Sequence, residues 1–135
     1  MPIDAIHVTR YPRDGGHYTT ETIVQPTWDV VERELRSMHN WEKPILWLHQ
    51  DREVGDSNCM AVNGGCGIYH LQIADEEGNW EQAVDPNGSD EEVEVWLSDQ
   101  GFATEGKFTW PVEQAVDLVR WYYERGTAHP RYSWQ

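Results

Sequence analysis

The chain has 135 residues, of which 39% are hydrophobic, and a formal net charge of -14. This length and apolar content suit one compact domain over residues 1–135 and exclude a chain that is disordered by composition. The negative charge argues against nucleic acid and anionic membranes as partners, because both would repel it.

The first half of the chain predicts two strands, a helix and then a β-rich block. The segments IDAIHVTRY and HYTTETIVQP predict strands, and the turn-forming cluster PRDGG separates them. Thr27 suits the N-cap of a helix over residues 28–39, which has apolar residues at helical spacing. The sequence Asn63-Gly64-Gly65 lies between two apolar runs and predicts a hairpin.

The middle of the chain predicts an antiparallel meander. Strand character is present in PILWLHQ, NCMAV, GIYHLQIA, WEQAV and EEVEVWL, and turns rich in Asp, Asn and Gly separate most of these runs. Asn87-Gly88 predicts the turn that leads into the last of them. After the polar link SDQGFATEG, the segment KFTW predicts a further short strand.

A second helix is predicted over residues 111–125. Pro111 suits the first helical position, Gly126 suits the C-terminal stop, and Ala115 and Val119 lie on one apolar stripe. Together these patterns predict an α+β fold with a mostly antiparallel sheet and two helices.

Cys59, Cys66 and His70 form a Cys-x6-Cys-x3-His spacing. Zinc and a disulfide are the alternatives to two reduced cysteines, but the spacing supplies only three ligands and the predicted hairpin does not place the cysteines opposite each other. No nucleophile elbow, phosphate-binding loop or zinc-protease motif is present in the sequence. We therefore expect reduced cysteines, no metal or other cofactor, and no enzymatic activity.

Negative charge is concentrated in the middle of the chain. Residues 53–106 contain 13 acidic residues and no Lys or Arg, whereas residues 1–52 have 8 acidic and 6 basic residues. In the strand over residues 92–97, period two places Val93, Val95 and Leu97 on the core face and Glu92, Glu94 and Trp96 on the other. Carboxylates beside an aromatic ring are typical of a surface that binds a basic partner, and a solvated outer face is the alternative interpretation.

The predicted binding surface combines this strand with the preceding strand and two acidic turns. Its residues are Asp75, Glu76, Glu77, Trp80, Glu81, Asp90, Glu91, Glu92, Glu94 and Trp96.

The C-terminal third, VEVWLSDQGFATEGKFTWPVEQAVDLVRWYYERGTAHPRYSWQ, resembles the bacterial immunity-protein family often paired with deaminase toxins in polymorphic toxin systems. The resemblance rests on Ala115, the aromatic end of the second helix, Gly126 and Trp134. Upstream, CMAVNG, GIYHLQIADEEG and WEQAVDP follow the order of the family, and the resemblance covers residues 25–135. Family tails often carry an acid after the final tryptophan, where this chain has Gln135.

The resemblance implies an immunity protein of bacterial competition, which binds and neutralises a cognate toxin. A toxin that acts on nucleic acid, such as a deaminase, has a basic substrate site that an acidic surface can occlude. A carbohydrate-binding module that uses surface tryptophans and an acidic DNA mimic that inhibits a DNA-binding protein are the alternative functions. Because the sequence shows no secretory signal and no long apolar run, we expect a cytoplasmic location and no membrane contact.

Overall fold

The fold is α+β, as the sequence predicts. The structure is a computed structural model that describes residues 2–51, 55–96 and 101–135. Its strands are β1 (Ala5–Arg10), β2 (Thr19–Val24), β3 (Ile45–His49), β4 (Cys59–Gly65), β5 (Ile68–Ala74), β6 (Trp80–Val84), β7 (Glu92–Trp96), β8 (Gly101–Glu105) and β9 (Ser133–Trp134). The helices are α1 (Trp28–Arg36) and α2 (Val112–Arg125), and a short 3-10 helix spans Gly106–Phe108.

Seven of these strands form one antiparallel sheet in the order β2-β1-β3-β4-β5-β6-β9. The strands from β3 to β6 pair consecutively, so the predicted meander is confirmed over four strands. Its last expected member, β7, instead pairs with β8 in a separate two-stranded sheet.

A turn forms before β7, one residue earlier than expected, and it does not return β7 to the side of β6. The Gly88 N–H donates to the Asp85 carbonyl at 2.9 Å, which closes a turn with Pro86 and Asn87 at its centre, one residue earlier than the predicted Asn87-Gly88. The Asp85 N–H in turn donates to the Lys107 carbonyl at 2.7 Å, and a Cβ on Gly88 would lie 2.5 Å from the Lys107 Cα. The segment after β6 is therefore held by the residue that follows β8, and β7 leaves the main sheet.

The β4–β5 hairpin forms, although its turn lies later than expected. Gly65 pairs with Ile68, so the loop residues are Cys66 and Gly67, with φ of 54° and 93°. Positive φ at both central positions is the geometry of a type I′ turn. Cys66 is exposed in this turn and Cys59 is buried at the far end of β4, and both thiols are free.

Two further expectations near the second helix are wrong. The stretch expected to be a polar link contains β8, because its residues pair with β7 although they form no apolar run. The KFTW segment, expected to be a strand, contributes to the 3-10 helix, after which Trp110 forms an isolated bridge with Tyr69.

Local signals set both ends of α2 but not the C-terminal end of α1. The bounds of α2 match the prediction within one residue, with Pro111 as the N-cap and Gly126 at φ 69° as the C-cap. Helix α1 ends at Arg36, three residues earlier than expected. His39 exchanges two backbone hydrogen bonds of 3.0 Å with Lys43, and this bridge takes the chain out of the helix.

The helices bury one face of the seven-stranded sheet. Core side chains come from both helices and from the central strands, and include Val31, Leu35, Leu46, Leu48, Met60, Val62, Leu71, Ala115, Leu118, Val119 and Tyr122. Burial of this apolar surface supplies the main driving force for folding.

The β7–β8 pair packs on the opposite face of the sheet, at the end where β4 turns into β5. The ring of Phe102 contacts the ring of His70 edge-on, with centroids 5.7 Å apart. The Val95 side chain lies against Gly64 and is only 1% exposed. This packing fixes the orientation of the strand that carries the predicted binding residues.

Candidate partner-binding surface

The side chains of β7 alternate between two environments, as the sequence predicts. Glu92 and Glu94 are exposed, whereas Val93 is half-buried and Val95 is fully buried. Leu97, predicted on the core face, lies outside the described residues. The alternation therefore follows from period two, with the apolar side packed on the main sheet.

Lys107 neutralises only part of the negative charge next to β7. Its Nζ lies 2.9 Å from Asp90 Oδ1 and 2.9 Å from Glu105 Oε2. The hydrogen bond from Lys107 lowers the pKa of Asp90, and the hydrogen bond to Asp90 raises the pKa of Lys107. Asp90 is thus committed to an internal ion pair and is a weaker candidate for partner contact than its neighbours.

Glu91, Glu92 and Glu94, which we call the hairpin acids, have no such partner. No Lys, Arg or His nitrogen in the described ranges lies within 4.0 Å of their carboxylates. Six basic side chains form ion pairs with other acids: Arg10, Arg13, Arg36, Lys43, Lys107 and Arg120. The hairpin acids therefore present uncompensated charge to the solvent.

Trp96, on the same strand as the hairpin acids Glu92 and Glu94, lines a cleft together with other aromatic residues. This cleft, of about 380 Å³, is lined by Trp96, Trp41, Tyr11 and Pro12 among other residues. We call these four residues the aromatic cleft. Trp41 is 41% exposed and Tyr18, whose ring lies 5.5 Å from that of Tyr11, is 61% exposed. Trp96 therefore links the exposed rings of this region to the strand that carries the unpaired carboxylates.

The acids of the β5–β6 turn line a different pocket. Asp75 Oδ1 accepts 2.9 Å hydrogen bonds from the N–H groups of Glu77 and Asn79, and the bonds from Asn79 lead the lowering of the pKa of Asp75. Asp75 therefore organises the turn. With Glu76 and Glu81 it lines a pocket of about 580 Å³ beside the C-terminal end of α2, which we call the acidic pocket; the wall also includes Glu77, Gln50, Tyr122 and Thr127.

Trp80 points to the opposite face of β6 from Glu81, as neighbouring strand residues must. Its ring meets that of Trp47 edge-on at 5.8 Å and 84°. The ring of Trp47 in turn stacks on His49 at 5.5 Å and 7°. Trp80 thus belongs to a row of aromatic residues on one face of the sheet, and Glu81 lies on the other face.

The ten predicted residues therefore do not form one continuous surface. The Asn58 N–H donates to the Asp75 carbonyl, so the acidic pocket adjoins the start of β4. Val95 packs on Gly64, near the other end of the same strand. At about 3.3 Å per residue, the six residues from 58 to 64 separate the two acidic groups by roughly 20 Å. The hairpin acids and Trp96 remain together, and the acidic pocket and Trp80 lie elsewhere.

Tyr11, Tyr18 and Trp41 are absent from the predicted surface. They come from the first 41 residues, whereas β7 begins at residue 92, and only the folded chain brings them together. The abundance of tryptophan and tyrosine in the sequence is the one available signal, and it does not distinguish surface rings from core rings.

The fold and the surface define a small, mainly antiparallel α+β protein with unpaired carboxylates next to exposed aromatic rings. Comparison with protein-family models gives no match, and no curated protein sequence matches the chain. Neither helix in the described ranges combines the length and apolar character needed to cross a bilayer. Among the described residues, no three His, Cys, Asp or Glu side chains are grouped as a metal site requires.

Proposed function

We propose that this chain is an immunity protein, which binds a cognate bacterial toxin and neutralises it without catalysis of its own. The observation that carries the proposal is the position of Glu92 and Glu94, unpaired and exposed, on the same strand face as Trp96, which shares a cleft with the exposed Trp41. The toxin we propose acts on nucleic acid, in the manner of a deaminase, and has a basic substrate site. Covering that site would exclude its substrate.

Charge and aromatic rings would contribute to different steps of binding. Uncompensated carboxylates attract a basic partner over several ångströms and raise the association rate by roughly 10- to 1000-fold, depending on ionic strength. Aromatic rings that become buried at an interface slow dissociation, because they bring large apolar area with little loss of side-chain entropy. The hairpin acids would therefore govern association and the aromatic cleft would govern residence time.

The residues that carry the family resemblance have structural roles in this fold. Ala115 is fully buried in α2, Gly126 caps the helix, and the Trp134 Nε1–H donates to the His129 carbonyl at 3.1 Å. They support the proposal only because their positions in the last helix and the tail resemble the family pattern. The proposed binding surface consists of other residues, which are charged or exposed.

The first test is co-expression with the protein encoded by the neighbouring gene, scored by cell survival and by co-purification. Survival with a stable complex supports the proposal, and unprotected cells without a complex contradict it. A stable complex with a DNA-binding protein that has no toxic activity would instead favour the DNA-mimic alternative.

The second test locates the interface by charge reversal. The double substitution Glu92→Lys and Glu94→Lys should slow association with the toxin by about tenfold or more at low salt and weaken its salt dependence. The matched control is Glu76→Lys with Glu77→Lys, which changes the net charge equally at the other end of the sheet. If both pairs slow association equally, net charge explains the effect and the hairpin is not the interface.

The third test concerns the aromatic cleft. Trp41→Ala should leave association nearly unchanged and raise the dissociation rate by about 30-fold or more, since truncating a hot-spot tryptophan costs at least about 2 kcal/mol. Surface plasmon resonance separates the two rates. An unchanged dissociation rate would place the anchor outside this cleft.

A further inference from the structure

Strand β7 has an unpaired edge. Its neighbour on one side is β8, and no other strand in the described ranges pairs with it. An unpaired edge presents a row of backbone donors and acceptors to which an extended segment of another chain can add.

The hydrogen-bond pattern identifies the groups on this free edge. The Gly106 N–H donates to the Glu91 carbonyl at 2.9 Å, so residue 91 is bonded toward β8. In an antiparallel pair, alternate residues exchange hydrogen bonds with the neighbouring strand and the residues between them turn their N–H and C=O groups the other way. Continuing the register from Glu91 therefore places the backbone groups of Glu92, Glu94 and Trp96 on the free edge.

The side chains of the same residues select what can pair there. A second copy of β7 would bring Glu92 and Glu94 close to their own counterparts, and like charges across a strand pair are destabilising. A segment with Lys or Arg at alternate positions would instead place cations opposite these carboxylates. The backbone of this edge can thus pair with an added strand, and its carboxylates favour a strand with basic residues.

Strand β2 also lies at an edge, on the main sheet, but it has no unpaired carboxylate. Its one charged residue, Glu21, is held by Arg10 at 2.9 Å, so it offers no free charge to a partner. The comparison favours β7 as the edge that discriminates in favour of a basic segment.

We infer that the toxin adds an extended segment, with basic residues at alternate positions, to the free edge of β7. This inference rests on the proposed function and specifies the partner chemistry at the same surface. The added strand would take its hydrogen bonds from the backbone of Glu92, Glu94 and Trp96, and its cations would contact the two carboxylates.

A proline at position 94 tests the inference directly. Glu94→Pro removes an N–H that faces the free edge, so the hydrogen bonds between β7 and β8 are retained. Glu94→Ala is the matched control, because it removes the same charge and keeps the N–H. With the catalytically inactivated protein of the neighbouring gene as the binding partner, we expect Glu94→Pro to raise Kd about tenfold beyond Glu94→Ala. Equal Kd values would overturn the inference.

Amide hydrogen exchange of the unmodified chain gives an independent readout, which holds even if the proline variant fails to fold. On complex formation, the amides of Glu92, Glu94 and Trp96 should slow by at least about tenfold, while those of Val93 and Val95, already bonded to β8, should change less. Unchanged exchange at the first three would contradict strand addition.

The proposed function and strand addition can fail separately. If Glu92→Lys with Glu94→Lys slows association but neither the proline nor the exchange result is obtained, the strand-addition inference is wrong and the proposed function stands. If co-expression gives neither protection nor a complex, both are wrong.

Discussion

Replacing Gly65 by alanine is expected to destabilise the fold by about 4 kcal/mol. Gly65 has φ 142°, a region that only glycine occupies without strain, and a Cβ there would lie 2.6 Å from His39 N and from Met38 C. These are backbone atoms, so no side-chain rotation relieves the contact. The conformation contributes roughly 1–3 kcal/mol, and the forced contact roughly 1–3 kcal/mol more.

The matched control separates these two contributions. Gly67 in the hairpin turn has φ 93°, but a Cβ there would meet nothing within 4 Å. Gly67→Ala should therefore lose only the conformational contribution, about 1–2 kcal/mol. The difference between the variants measures the contact between the end of β4 and the segment that follows α1, together with the higher backbone cost of φ 142° relative to φ 93°.

Urea unfolding followed by tryptophan fluorescence is the appropriate assay, because the slope of free energy against urea reveals any change in the unfolded reference state. With equal slopes, Gly65→Ala should have the lower midpoint by a clear margin. Equal midpoints for the two variants would refute the packing of β4 against residues 38 and 39.

Burial raises the pKa of Tyr122 to about 12, whereas an unfolded tyrosine has a pKa of about 10. The stability that this shift contributes is complete below a pH of about 10 and is lost as the pH rises toward about 12. Tyr122→Phe should therefore flatten the decline of the urea midpoint over that range. Trp110→Phe should lower the free energy of unfolding by about 1–3 kcal/mol, because the indole N–H donates to the buried Ala83 carbonyl at 3.2 Å; a loss below about 0.5 kcal/mol would contradict that bond. The exposed Cys66 should react with a thiol reagent in the folded protein, whereas burial raises the pKa of Cys59 to about 11 and should delay its reaction until unfolding. Rapid reaction of both thiols in the folded protein would contradict this difference in reactivity.

The sequence predicts elements whose signals are local. Helix α2 is bounded by Pro111 and Gly126, and its apolar stripe fits a helix, so both its existence and its limits are predictable. The end of α1 is not, because the bridge between His39 and Lys43 depends on residues beyond the helix. Likewise β8 has no apolar run, and it becomes a strand only through pairing with β7.

The binding surface divides in the same way. The alternation of Glu92 and Glu94 with the valines of β7 is a local property and is confirmed. The grouping with Glu76 and Glu81 fails because closeness in sequence does not determine which end of the sheet a turn occupies. Trp41 is missed because its approach to β7 requires the tertiary fold.

The arrangement of acids on the hairpin has a cost for folding that binding would explain. Glu92 lies directly across from Glu105 on β8, and like charges in that position are destabilising. Lys107 relieves Glu105 but does not contact Glu92. Functional sites are where local rules of stability are broken. Glu92→Lys should therefore raise the urea midpoint of the free chain, since an opposite-charge cross-strand pair contributes roughly 0.2–1 kcal/mol, while it slows association with the toxin. A variant that gained stability and kept its association rate would separate Glu92 from binding and leave its position opposite Glu105 without a functional explanation.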